Sequence, residues 1–530
     1  MNRTTLSLLA AVTALAAVTG FAVLSAPEGD GGTATAATAP ARLPVERSSL
    51  LCPAPSNSEV AETVYTSFTP AGESGSGSGT GSGSGSASGE AGRAELKPSA
   101  ATVDATTADP KKADDKAADK ADTVKKAPAA DKAVVTLTQP GRPVSAEADG
   151  GDAPALVGTA SGRLAPGWTT QQTTLVPAGG ARGLLGVGCT APDTDFWFPG
   201  ASTTKQRQDY VHLTNPDDTA TVVDIELYGP NGVLKSQLNE GITVPARSSV
   251  PVLLSTLTSD PAAEDVTVHV TTRSGRVGAV VRSADDKLGS DWLPASTDPA
   301  GTLVLPGIPA DATSVRLVAY APGEDDADLK IQLASPTGTI TPAAAETLHV
   351  KSGMTASADL EDVTRGEAGS LVLSPAKGGG GTPVVAALRV VRGKGDKQEV
   401  AFIPATGPVG ERATVADNRA EGTTLSLTAP GETAQVKVTA SAGTEGGTPA
   451  GKTYTVKGGT TLAVTPPVPA GLKGSYALTV ETVSGGPVHA ARTLAAPEDG
   501  IPMFTVQTLT DDRGTVEVPA ARQDLSVLDQ

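Results

Sequence analysis

Four histidines, His212, His269, His349 and His489, are the side chains best suited to acid–base work near neutral pH. Each stands alone within an alternating, strand-like stretch. None has a second His or Cys at ligand spacing, and no His-Glu-x-x-His occurs. A nucleophilic triad needs a histidine beside its nucleophile, presented from a loop, and no such loop is evident. The expectation is therefore packed or surface histidines, with no residue assigned a catalytic, cofactor or metal role.

Acidic runs offer a second chemistry. Asp217-Asp218, Asp285-Asp286 and Glu324-Asp325-Asp326-Ala327-Asp328 carry oxygens that calcium favours. They lack the spacing of a calcium loop around a glycine, and they fall where Asp serves turns through its own backbone hydrogen bonds. Carboxylate pairs could serve glycoside hydrolysis, but their separation is a tertiary property. Trp168, Trp197 and Trp292 could stack on sugar rings. Trp197 and Trp292 are expected at one repeat position, with Phe402 and Phe504 in the others, which reads as a core layer. Cys52 and Cys189 are the only cysteines. In an oxidising compartment they are expected to form a disulfide, with two unpaired buried thiols as the alternative.

The elements that must position these residues follow from composition. The chain has 530 residues, 38% hydrophobic and 3% aromatic, with 60 Gly and 41 Pro. Ala, Val and Thr in short runs between Gly, Pro and Asp suit strands and turns, in several small cores. The net charge of −17 opposes binding to nucleic-acid phosphates. Arg3 precedes an uncharged apolar stretch, Leu6–Ala26, long enough to span a bilayer with the rest of the chain outside. A cleaved signal peptide, cut after Ser25 or near Ala34-Thr35-Ala36, is the alternative; the length of the run favours a retained anchor. Both readings export the chain.

Boundaries are expected as follows: an anchor or signal over 1–27; a stalk over 28–47; a split first β unit over 48–70 plus 133–200. Residues 71–132, Gly-Ser then Lys-Asp-Ala, read as a disordered insert that buries too little apolar surface to order itself. Further β repeats follow at 201–300, 301–408 and 409–499, with closing strands over 500–530.

The repeats rest on strand-then-turn stretches, Tyr210–Asp218, Val315–Gly323 and Leu425–Glu432, each followed by a second strand. Arg276–Val281, Pro383–Leu388 and Pro487–Arg492 are read as their shared ending, with Arg182–Val187 as a diverged fourth example. An aromatic strand follows each: Phe196–Pro199, Asp291–Pro294, Val400–Pro404 and Pro502–Val506. Four copies near 100 residues, each of about seven strands, match tandem immunoglobulin-like β-sandwiches. A tail from Thr515 needs a partner: it either adds to the preceding unit or closes a ring by joining the first, so a β-propeller is the alternative architecture.

Leu-Cys-Pro-Ala-Pro at Cys52, Gly-Cys-Thr-Ala-Pro at Cys189, Asp195-Phe196-Trp197-Phe198 and the repeated strand–Pro turn together resemble the exported actinobacterial proteins of domain-of-unknown-function family 5719. The resemblance covers roughly residues 48–528 outside the insert. It implies a secreted or membrane-anchored envelope protein with no assigned activity. The reading is an extracytoplasmic structural or interaction module of the cell envelope, non-catalytic and without cofactor. Its partner is an unidentified envelope protein or glycan, and the N-terminal helix contacts the membrane. A wall-glycan-binding protein and an enzyme of wall polysaccharide metabolism are the rivals. An aromatic on a concave exposed surface would favour the first rival, and clustered carboxylates with a histidine in one cleft would favour the second.

Overall fold

In a computed structural model, residues 41–72, 92–102, 125–126, 132–237 and 240–518 are described. The apolar run Leu6–Ala26 lies outside them. Among the described residues no helix is long and apolar enough to cross a membrane. Helical structure there amounts to two 3-10 turns, Gly162–Leu164 and Leu254–Thr256.

Strands form where small and β-branched residues alternate between buried and exposed positions, as in Ala327–Ala334. Eight of them build the first sandwich: Arg47–Cys52, Glu62–Phe68, Ala94–Pro98, Val135–Leu137, Val144–Asp149, Leu156–Ser161, Thr169–Val176 and Gly183–Gly188. One sheet runs first–sixth–third–fourth and the other eighth–seventh–second–fifth. Leu50, Leu96, Leu137 and Leu156 of one sheet close on Tyr65 of the other. Accessory strands apart, the same order recurs over 195–293, 303–404 and 412–509, so four sandwiches form the body.

This arrangement corrects several expectations. The connectivity departs from the immunoglobulin pattern, in which the first strand pairs with the second and the seventh with the sixth. Here the first strand pairs with the sixth and the seventh with the second. Alternation along a strand fixes which face is buried but not which strand lies alongside. Among the described residues the sheets are open and each repeat packs two of them face to face, unlike the single-sheet blade of a propeller, so the propeller is excluded. The repeat frame also moves by one strand. Asp195–Ala201 opens the second sandwich, and Phe504–Leu509 completes the fourth. Gly183–Gly188 is an eighth strand, whereas Arg276–Val281, Pro383–Leu388 and Pro487–Arg492 reach into seventh strands. Trp197 therefore lies on a first strand and Trp292 on an eighth, not at one repeat position.

The insert is not a spacer throughout. Ala94–Pro98 pairs with Leu156–Ser161, and Ala94 and Leu96 are fully buried. Ala101–Thr102 pairs in parallel with Ser248–Ser249 of the second sandwich. Residues 73–91, 103–124 and 127–131 of the insert lie outside the described residues. Ala41–Pro44, expected in the stalk, pairs as a strand with the tail strand Thr515–Val518, and Arg42 lies 3.7 Å from Glu517.

Within the body, residues 44–516, each eighth strand carries a large apolar residue into another sandwich. Trp292 packs with Leu185 and Val187 of the first, and Phe402 joins the core of the second. Phe504 joins the core of the third, and Leu184 packs with Leu494 and Met503 of the fourth. The four sandwiches are thus interlocked in cyclic order. Burying each such side chain contributes about 1.5–3 kcal/mol.

Candidate functional site

Cys52 ends the first strand and Cys189 follows the eighth, so their disulfide ties the two sheets of the first sandwich together. Reciprocal backbone bonds between Leu51 and Thr190, at 2.8 and 3.1 Å, bring the cysteines to a Cα separation of 4.5 Å. A stable disulfide is the mark of a protein made for an oxidising, extracytoplasmic compartment.

The histidines separate into two kinds. His212 and His489 are buried. Neither ring nitrogen of His212 has a protein partner; the ring meets the edge of Trp292 at 5.2 Å beside a cavity of about 10 Å³. Burial, then repulsion from Arg282, holds its pKa well below the usual value. His489 donates from Nδ1 to the Thr406 carbonyl at 3.1 Å, and burial lowers its pKa.

His269 and His349 are each flanked by two carboxylates. Exposed His349 lies 2.7 Å from Asp328 and 3.5 Å from Asp326. His269 sits at the junction of the second and third sandwiches, where register places Trp197, His269 and Glu226 abreast on three strands. Its ring stacks on Trp197 with centroids 3.6 Å apart, Nε2 lies 3.2 Å from Asp195 and Nδ1 3.6 Å from Glu226. The Tyr228 hydroxyl donates to Glu226 at 2.8 Å, and Tyr320 of the third sandwich packs 4.5 Å from the Tyr228 ring. This row places His269 within hydrogen-bond reach of Asp195 and within ion-pair distance of Glu226, beside the partly buried Tyr228 ring. The enzymatic rival calls for carboxylates and a histidine in one cleft; here cross-strand register gathers them in a row along one sheet.

The other candidates are structural in their contacts. Trp168 is buried and donates from Nε1 to the Ser67 hydroxyl at 2.8 Å; Trp197 and Trp292 are buried as well. Asp217 pairs with Arg276 at 3.2 Å and Asp218 with Arg247. Asp285 accepts the Lys287 and Leu288 amides at 2.9 and 3.0 Å, as turn chemistry requires. Among the described residues no three His, Cys, Asp or Glu side chains are grouped to hold a metal ion.

A second polar cluster lies where the four sandwiches meet. Asp291 Oδ1 accepts from the Gly186 amide at 3.1 Å and the Thr505 hydroxyl at 3.2 Å. Glu399 Oε1 accepts from the Leu184 amide at 3.3 Å. Burial raises the pKa of Asp291 well above the carboxyl range. Glu399 is pushed up to about 9, by burial first and by Asp291, against the pull of Arg182. Neither carboxyl stands out locally, since Asp291 follows Gly289-Ser290 and Glu399 follows Lys397-Gln398 in their strands.

The family profile described as "Family of unknown function (DUF5719)" matches residues 144–467, from the fifth strand of the first sandwich into the fourth. No curated protein matches the chain.

Proposed function

The chain belongs to the DUF5719 family of unknown function, and from that premise we propose that it is a non-catalytic structural or interaction module outside the cytoplasm. Leu6–Ala26 anchors it in the membrane, and its partner is an envelope protein or glycan. The observation that supports this reading is the interlocking of the four sandwiches through Leu184, Trp292, Phe402 and Phe504. An interlocked body presents its surfaces in fixed relation, as a scaffold must. Among the described residues most aromatic rings are buried, and Trp292, Phe402 and Phe504 are held in that packing.

The row Asp195, His269, Glu226 and Tyr228 favours a second reading, sugar binding. Carboxylates accept from sugar hydroxyls and a tyrosine face stacks on the ring. The full-length protein, recovered from native envelope with its bound material, should carry the same partner whether or not Glu226→Gln and Tyr228→Ala are present. Loss of bound glycan in these variants would move the assignment to sugar binding. Turnover of wall polysaccharide that disappears in His269→Ala would replace it with an enzyme. Membrane fractionation checks the anchor; a supernatant form starting near Ala26 would remove it.

A further inference from the structure

We propose that the junction of the four sandwiches is a proton-dependent latch, in which Asp291 and Glu399 hold the eighth strands together as neutral carboxylic acids and release them on ionising. This inference stands on the packing of the body and needs no ligand or partner.

The geometry that carries it is the routing of hydrogen bonds between sandwiches. Asp291, of the second, is bonded to Gly186 of the first and Thr505 of the fourth. Glu399, of the third, is bonded to Leu184 of the first. The other oxygens, Asp291 Oδ2 and Glu399 Oε2, are buried and have no hydrogen-bond partner within the protein. An ionised carboxylate only accepts, so charge here would sit on a bare buried oxygen. A protonated carboxyl brings no charge into the site and keeps its other oxygen as the acceptor for the neighbouring strand.

The pull of Arg182 on Glu399 offsets burial only in part, and the hydrogen bonds of the surrounding arginines go elsewhere. Arg182 donates to the carbonyls of Gln398 and Lys287, at 2.6 and 3.0 Å, and to neither carboxyl. Arg392, across from Glu399 on the seventh strand, is paired with Asp311 at 2.6 Å. Ser283, across from Asp291, receives Arg207, which is paired with buried Asp209 at 2.8 Å. Arg492, across from Gln507, donates to the Asp417 carbonyl.

Both folded pKa values are raised, so the folded state retains protons that the unfolded chain gives up. The latch is complete below the ordinary carboxyl range and is lost as pH rises toward about 9, the value for Glu399. The packing of Trp292, beside Asp291 and against the first sandwich, is lost with it.

Hydrogen exchange on the full chain tests this, with the Leu184 and Gly186 amides as direct reporters because they donate to the two carboxyls. Their protection factors, corrected for intrinsic exchange, should fall on the order of tenfold or more between about pH 6 and 9. The Asp291→Asn, Glu399→Gln double variant keeps an acceptor oxygen at each place and cannot ionise, so its protection should stay level. Equal losses in native protein and variant would overturn the proposal. If the double variant does not fold, carboxyl NMR titration of the native protein decides. Midpoints well above the ordinary carboxyl range support the latch, and midpoints near about 4 sink it.

Discussion

Gly186 N lies 3.1 Å from Asp291 Oδ1, so the backbone of the first sandwich is held by a side chain of the second. That approach depends on the absence of a side chain at Gly186, because a Cβ there would run into the Gln507 amide and the Thr505 side chain. Both neighbours are buried in the fourth sandwich, where nothing gives way easily.

Gly186→Val should therefore destabilise the whole body by about 1–3 kcal/mol, the usual cost of overpacking. Denaturant unfolding measures it. A variant as stable as the native protein would show that the junction is loosely packed.

Cys189→Ser tests the inter-sheet tie. The bond closes a loop of 137 residues, and chain entropy gives it about 5 kcal/mol. Intact mass of non-reduced protein should be two hydrogens below the reduced form. Separate repeats would confine the damage to the first sandwich. The observed packing spreads it, since Phe68 contacts Ala416 and Ala477 of the fourth. One cooperative calorimetric transition at lower temperature is expected; an early transition followed by an unchanged one would restore independent repeats.

Leu96→Ala addresses the insert. Leu96 is fully buried in the first sandwich, so truncation should cost about 2–5 kcal/mol. Removing all of residues 72–132 should be worse, because the third strand goes with them. A melting temperature unchanged by Leu96→Ala would return this stretch to the status of a spacer.

Acid should loosen the junction of the first two sandwiches through His212. Its folded pKa is lowered by burial and Arg282, so its contribution is complete above its unfolded value, about 6.5. That contribution is lost progressively as pH falls below it. His212→Phe should lessen the fall in stability between about pH 7 and 5. An unaltered pH dependence in this variant would place the acid sensitivity elsewhere.

Much of the architecture was legible in the residues themselves. Runs such as Leu329-Lys330-Ile331-Gln332-Leu333 alternate at the strand period, and Pro- and Gly-led turns punctuate them, so the β class and a fourfold repeat follow from local chemistry. With two cysteines only one intramolecular pairing exists. Strand neighbours were beyond reach, because the edge along which strands hydrogen-bond is backbone and carries no residue code. The first strand therefore took an unexpected partner, and the repeat frame slid by one strand, separating Trp197 from Trp292. Gly-Ser and Lys-Asp-Ala flanks masked Ala94–Pro98, whose few apolar residues find a core only by joining strands far along the chain. For the same reason neither candidate site was visible. Asp195, Glu226 and His269 become neighbours through cross-strand register, and Asp291 meets Glu399 only where sandwiches interlock. Local sequence sets which side chains a strand buries; tertiary packing alone decides what they are buried against.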